Sequence, residues 1–255
     1  MIDLIVNDHE IKDIELIIFD KDGTLFELYP YWATVARRRA ENICKIIHED
    51  DPSAIEWIAS LMGVDYSGAT MNPKGPIGVF NRDYIQDLLC RELNEKGYFI
   101  EINDIVDAFK EADIYISDDG VLKQSLVPVA GLVEFLKSIK GNCRCAIFSY
   151  DQTINLKHIV ELMELEGFFS MLLGGDLLEY PKPSPWGAEK IMSELDISRE
   201  NTILIGDSVN DIKSGRDAGC QKVITRRSEI SDLDEISKIT DLTISNYQNI
   251  SVRQN

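Results

Sequence analysis

Four short apolar runs, each closing on a polar residue, constrain the fold of this 255-residue chain more than any other feature. They are Leu16 to Asp20 (LIIFD), Ala146 to Ser149 (AIFS), Met171 to Asp176 (MLLGGD) and Thr202 to Asp207 (TILIGD). Unbroken apolarity over so few residues suits strands of a parallel sheet covered on both faces. A fifth run, Lys222 to Thr225, and a weaker sixth near Leu242 to Ser245 follow. Segments with helical spacing lie among them: Val129 to Lys140, Thr153 to Glu166, Pro185 to Leu195 and Asn210 to Ala218. Strands alternating with helices predict a doubly wound α/β fold with a mainly parallel, Rossmann-like sheet. Ligands of such sheets bind in the crevice beyond the carboxyl ends of the strands. The polar residues that close the runs are therefore expected to converge there.

The alternation breaks once, between about Tyr29 and Ser125, where strand-like runs nearly vanish. WATVARRRAENICKIIHE, FNRDYIQDLLCREL and INDIVDAFKEADIYI read as amphipathic helices, and the Gly- and Pro-rich MNPKGPIGVF as a loop. The chain thus divides into an α/β core domain, residues 1–27 and 126–255, and an inserted α-helical domain, residues 28–125. Residues 1 to 13 read as a short extra hairpin or lead-in.

Composition narrows the partners. Lys and Arg number 26 against 44 Asp and Glu, a net charge of −18. That charge repels phosphate backbones and anionic lipid, so neither nucleic acid nor membrane is an expected partner. A phosphorylated small molecule remains compatible, because a divalent cation and a few local positive groups can reverse the potential in one cleft. No run of 18 apolar residues marks a membrane span. The start of the chain lacks the basic and apolar regions of a secretion signal. Five scattered cysteines, Cys44, Cys90, Cys143, Cys145 and Cys220, read as reduced and structural. A cytoplasmic location is expected.

Asp20-Lys21-Asp22-Gly23-Thr24-Leu25 follows the first run. Two carboxylates two residues apart can share a crevice if the chain leaves strand geometry between them, and Gly23 permits that departure. Their repulsion favours a bound divalent cation or a raised pKa on one of them; a plain turn is the competing reading. Ser149 offers a hydroxyl for a phosphate oxygen. Lys182, in Tyr180-Pro181-Lys182-Pro183-Ser184-Pro185, sits in a backbone stiffened by prolines. Asp207 and Asp211, in GDSVND, fall at a strand end and a helix start, where an N-cap role competes for Asp207 and Ser208. Each bland reading survives alone, but the joint order of acid pair, hydroxyl, lysine and second acid pair favours one crevice.

This constellation resembles the haloacid dehalogenase superfamily of aspartate-nucleophile phosphohydrolases. Its four motifs match DKDGTL at 20–25, FSYD at 148–151, the lysine of YPKPSPW at 180–186 and IGDSVNDIKSGRDAGC at 205–220. The likeness covers about residues 14–27 and 126–250, and the helical insert lies where members with a type 1 cap carry theirs. Phosphoglycolate phosphatase-like and sugar-phosphate phosphatase members look nearest. The resemblance implies that Asp20 is the nucleophile and Asp22 the general acid and base. It implies that Mg2+ sits on Asp20, the Asp22 backbone carbonyl and Asp207, with Asp211 a further ligand through water or a support. Ser149, the N–H of Tyr150 and Lys182 would hold the phosphoryl oxygens, Lys182 also pairing with Asp20. Tyr150 departs from the Asn that many relatives carry at its position, and Lys21 fills a variable one.

The expected activity is Mg2+-dependent hydrolysis of a small phosphorylated metabolite, with the helical domain closing to exclude water. Two alternatives are a phosphomutase of the same superfamily and a non-catalytic phosphate-binding regulator. Candidates for setting specificity from the insert are Arg37, Arg38, Lys74 and Arg82, each read first as solvent-facing. A solvated face competes for each of them, and Arg37, Arg38 and Arg39, about 100 degrees apart on a helix, cannot all face one ligand. His9, His48 and His158 lie outside every motif.

Overall fold

A computed structural model of the protein describes residues 1–77, 80–240 and 242–254. Gly78 and Val79 of the expected loop, and Asp241 and Asn255 of the expected core, lie outside the described residues. The chain forms two compact units, Met1–Glu27 with Pro128–Asn255, and Leu28–Val127.

The first unit opens with β1 (Ile2–Val6), β2 (His9–Ile14) and β3 (Leu16–Phe19). The second holds α1 (Leu28–Ile46), α2 (Pro52–Leu61), the short pair β4 (Val64–Asp65) and β5 (Thr70–Met71), α3 (Arg82–Glu95), α4 (Ile102–Ile116) and α5 (Asp119–Ser125). The first then resumes with α6 (Leu132–Ile139), β6 (Arg144–Phe148), α7 (Thr153–Leu162), β7 (Phe169–Leu173), α8 (Trp186–Leu195) and β8 (Thr202–Gly206). It ends with α9 (Val209–Asp217), β9 (Lys222–Arg226), α10 (Leu233–Ile236), β10 (Thr243–Ile244) and β11 (Ile250–Gln254).

Six strands form one parallel sheet in the order β10-β9-β8-β3-β6-β7. All four residues of β3 and all five of β8 are buried, because side chains pack on both faces. On one face Leu16, Ile18, Ala146, Phe148 and Leu204 meet Ala188 and Ile191 of α8 and Ile212 of α9. On the other, the Phe19 ring meets Phe135, Phe169 and Tyr247 with centroids 6.5, 6.1 and 6.2 Å away. Burying side chains of this size is worth about 1.5–3 kcal/mol each, which favours strands without a polar face. The doubly wound α/β fold expected from the apolar runs is therefore present.

Topology positions the site. β3 is flanked by β6 on one side and β8 on the other, so the chain winds away from it in both directions. The carboxyl end of β3 is then the switch point at which such sheets open a crevice. Asp20 is the next residue.

A separate antiparallel sheet, β11-β1-β2, joins the two ends of the chain. The hairpin of β1 and β2 turns through Asn7 and Asp8, both left-handed at φ 48° and 66°, a region these residues tolerate. Within the helical unit α1 packs on α2 and α4. No helix among the described residues is long and apolar enough to cross a membrane. All five cysteines are free.

Candidate active site

Asp20 extends the β3 ladder by one bond, its N–H donating to Ile205 O at 2.9 Å. The chain then turns sharply: the Lys21 carbonyl accepts from Leu25 N at 2.9 Å, and Gly23 takes φ 75°. Gly23 also lacks room for a side chain, since a Cβ there would lie 2.1 Å from Asp207 Oδ2. Glycine thus serves this turn twice, by its left-handed conformation and by letting backbone approach a carboxylate. Arg226, at the end of β9, braces the turn by donating to Gly23 O at 3.1 Å and pairing with Glu27.

Lys182 is 4% exposed, which rejects the surface-lysine reading. Its Nζ donates to Asp20 Oδ1, Asp211 Oδ1 and Phe148 O, each at 2.7 Å. Three acceptors use all three ammonium protons. The loop that delivers it is pinned by Tyr150, whose hydroxyl donates to the Lys182 carbonyl at 2.6 Å. Buried Ser149 donates its N–H to Leu173 O at 3.1 Å, and its Oγ accepts from Asp151 N at 3.1 Å.

Asp207 follows β8 directly, and Ser208 rather than Asp207 caps α9. The Ser208 hydroxyl and the third helical residue, Asp211, form a capping box, Asp211 Oδ2 accepting from Ser208 N at 3.0 Å and Ser208 Oγ at 2.5 Å. Asp211 thus commits one oxygen to the cap and the other to Lys182. Asp207 Oδ2 accepts from Ser228 Oγ at 2.5 Å, and its carbonyl from Ser231 Oγ at 2.8 Å. These two serines, on the loop after β9, were missed in the sequence; the rule that singled out Ser149, a hydroxyl just past a strand end, applies equally to Ser228.

One carboxylate oxygen from each of Asp20, Asp207 and Asp211 lies within 4.8 Å of the others. Burial, then Asp211 and Asp22, push the Asp20 carboxyl up to about 7 against the opposing pull of Lys182. Burial, then Asp20 and Asp211, hold the Asp207 carboxyl well above the usual range. Burial alone would lower Lys182, but Asp20 and Asp211 more than reverse this. One ammonium does not balance three buried carboxylates. An all-oxygen donor set with surplus negative charge fits a hard dication such as Mg2+. The Asp22 side chain pairs with Lys21 Nζ at 2.6 Å. Lys21 is itself buried and lies 3.5 Å from Asp151 Oδ2. The position read as variable is therefore built into the site, and a lysine between two acids at a buried strand end was the available signal.

Of the candidate specificity cations in the insert, Arg37, Arg38 and Arg82 are engaged within the helical unit. The Arg37 guanidinium lies 4.6 Å from the Tyr66 ring centre, and Arg38 lies 3.5 Å from that of Tyr115 and 3.5 Å from Glu41. Arg82 pairs with Asp113 at 2.6 Å, and Lys74 is exposed. Arg39 departs from the solvated-face reading: it is buried against the Phe109 ring, 4.0 Å away.

The sequence matches the family model of the haloacid dehalogenase-like hydrolases over residues 14–219. A phosphoglycolate phosphatase of Neisseria meningitidis serogroup A / serotype 4A is 27% identical over 213 residues, covering 84% of this chain and 80% of its own. The pyrophosphatase PpaX of Listeria monocytogenes serotype 4a is 29% identical over 149 residues, covering 56% and 65%. In fold, the chain resembles the crystal structure of a predicted phosphoglycolate phosphatase from Haemophilus somnus 129PT. That likeness has a TM-score of 0.66 at 17% identity and covers 93% of this chain and 96% of the other. The chain belongs to the haloacid dehalogenase-like hydrolase family.

Proposed function

We propose that the protein is a Mg2+-dependent phosphatase that hydrolyses a small phosphomonoester through an aspartyl-phosphate on Asp20. The observation that carries this reading is the Lys182 ammonium shared between Asp20 and Asp211, with an Asp207 oxygen in the same buried cluster. The related phosphoglycolate phosphatase of N. meningitidis supports a small phosphorylated acid as the first substrate to try.

In the proposed reaction Asp20 attacks phosphorus as the bond to the leaving oxygen breaks, and Asp22 gives that oxygen its proton. Water then attacks the phosphorus of the aspartyl-phosphate, passing a proton to Asp22, and Asp20 departs as a carboxylate. Lys21, 2.6 Å from Asp22, orients it and stabilises the carboxylate left once the proton is given. Ser149 and the Tyr150 N–H hold phosphoryl oxygens, and Lys182 joins them by releasing one of its three present acceptors, the stabilisation that phosphoryl transfer chiefly requires. Ser149 accepts the Asp151 amide on its oxygen, which leaves its hydroxyl proton for that task. Asp20, Asp207 and the Asp22 carbonyl are the groups proposed to hold Mg2+. Both Asp211 oxygens are committed elsewhere, which favours a supporting role for it. When bound, the ion supplies positive charge that lets one anion approach another.

The test is Asp20→Asn assayed on p-nitrophenyl phosphate with Mg2+. Turnover is expected to vanish while the circular dichroism spectrum is unchanged; undiminished turnover removes Asp20 as nucleophile. Steady phosphate release from a sugar monophosphate without a bisphosphate activator separates a phosphatase from a mutase.

A further inference from the structure

The helical unit contains a cavity of about 240 Å3 lined by two guanidiniums that share one carboxylate. Its walls are Trp32 and Arg39 of α1, Ile77 and Phe80 from the segment before α3, and Arg82 and Ile85 of α3. Arg39 is 7% exposed, and among the described residues its Nε has no hydrogen-bond partner. A buried donor left unmet costs roughly 1–3 kcal/mol.

The nearby carboxylate does not resolve this. Asp113 stands 2.6 Å from Arg82 Nη2 but 3.9 Å from Arg39 Nη2, so two guanidiniums share one counterion and Arg82 has the closer contact. Burial, then Arg82, hold Arg39 down to about 10, still fully charged at neutral pH. The guanidinium face is stacked over Phe109. Its Nε is enclosed by protein, so its Nη groups are what remain for a ligand, and planar guanidinium N–H groups suit an oxyanion.

The rest of the wall is apolar. Ile77 and Ile85 are buried, and the exposed Phe80 ring stacks on Tyr84 with centroids 4.2 Å apart. Bare phosphate would satisfy the arginines and leave this wall wet. The volume falls below the roughly 300–1,000 Å3 of pockets for drug-sized ligands, which limits the occupant to a single ring or short chain.

We propose that this cavity binds a small organic anion, its carboxylate or comparable oxyanion meeting Arg39 and Arg82 and its apolar body lying against Trp32, Ile77 and Phe80. The anion belongs either to a substrate molecule or to a separate effector, and the two sources share this chemistry.

Benzoate titrated into the full-length protein is the test, followed by the indole N–H resonances. Saturable binding is expected in about the millimolar range, with the Trp32 signal shifting and those of Trp57 and Trp186 unmoved. Arg39→Gln should weaken binding by about tenfold or more. Should that variant fail to fold, Arg82→Gln, at a solvent-exposed position, decides: weaker binding at an unchanged melting temperature supports the site. Neutral benzamide should not bind. Absence of a saturable Trp32 shift, or equal shifts with benzamide or in Arg82→Gln, overturns the proposal. Competitive inhibition of phosphate-ester hydrolysis by benzoate that is lost in Arg82→Gln assigns the anion to the substrate, non-competitive inhibition lost in that variant assigns it to an effector, and inhibition that Arg82→Gln leaves intact counts against the cavity as its source.

Discussion

Lys182 Nζ lies 2.7 Å from Asp20 Oδ1 across 162 residues of sequence, and the same nitrogen stands 2.7 Å from Asp211 Oδ1. This single ammonium bridges a carboxylate at the end of β3 and one in the first turn of α9, both buried. It offsets part of their repulsion and leaves the remainder, centred on Asp207, for another cation.

Replacing Lys182 with Met keeps the length of the side chain and removes its charge. Breaking a buried pair by deleting one partner costs about 3–5 kcal/mol, relieved here to the extent that Asp20 takes up a proton. The variant should melt at lower temperature, and its kcat should fall by roughly 100-fold or more, as on losing an oxyanion donor. Thermal melts and steady-state kinetics check both; wild-type kcat would separate Lys182 from the chemistry.

The acid cluster makes metal-free stability depend on pH in an uncommon direction. The Asp20 carboxyl titrates at about 7 in the folded protein against an ordinary value of 3.8. Between those values the unfolded chain has released a proton that the folded chain keeps, so stability in chelator falls as pH rises from about 4 to 7. The slope from this group is at most about 1.4 kcal/mol per pH unit, and Asp207 acts in the same direction. Asp51, Asp65, Asp176 and Glu49 are lowered, so their opposite effect falls below about 4.5, at the bottom edge of this window. Saturating Mg2+ should flatten the trend. Urea unfolding at pH 5, 6 and 7 with and without chelator measures it, and stability that rises with pH in chelator contradicts it.

The central sheet was legible because β3, β6, β8 and β9 carry their own evidence: runs buried on both faces are apolar whatever their neighbours. β11 was not. Ile250–Gln254 is mostly exposed, and what makes it a strand is pairing with β1 at the opposite end of the chain. The run read from Met171 to Asp176 stops at Leu173, since a Cβ at Gly174 would lie 2.3 Å from Thr153 N and the backbone there must pass close. The same division holds at the site. Asp20, Lys182, Asp207 and Asp211 stand in motifs whose order is visible along the chain. Ser228 and Ser231 become relevant only because β9 lies beside β8, a fact of sheet order. Arg39 illustrates the limit within one helix: of three successive arginines, rotation about the axis turns one inward, and sequence does not say which.

Gly23→Ala should damage the site more than a change of one methyl suggests. The new Cβ would lie 2.1 Å from Asp207 Oδ2, and φ 75° is strained for alanine. A left-handed alanine alone costs about 1–2 kcal/mol, and displacement of the Asp207 carboxylate adds a loss of metal affinity. The expected result is a modest fall in melting temperature with a large rise in the Mg2+ concentration for half-maximal activity. Unchanged Mg2+ dependence would show that Asp207 does not need this close approach.

Ser228→Ala isolates the support of Asp207 without touching a motif residue. The Ser228 hydroxyl donates to Asp207 Oδ2 at 2.5 Å and also meets Ser231 Oγ at 3.1 Å, so it fixes both the carboxylate and the loop that backs it. That hydrogen bond also opposes burial in setting the Asp207 carboxyl, so its removal should raise this group further. Both effects act against cation binding. Losing a partner that orients a metal-binding carboxylate typically costs about 10- to 100-fold in affinity, which is the expected weakening for Mg2+ measured by calorimetry. At saturating Mg2+ kcat should return close to wild type, because Ser228 reaches the reaction only through Asp207. A kcat that stays depressed at saturation would instead give Ser228 a direct contact with the reacting phosphate.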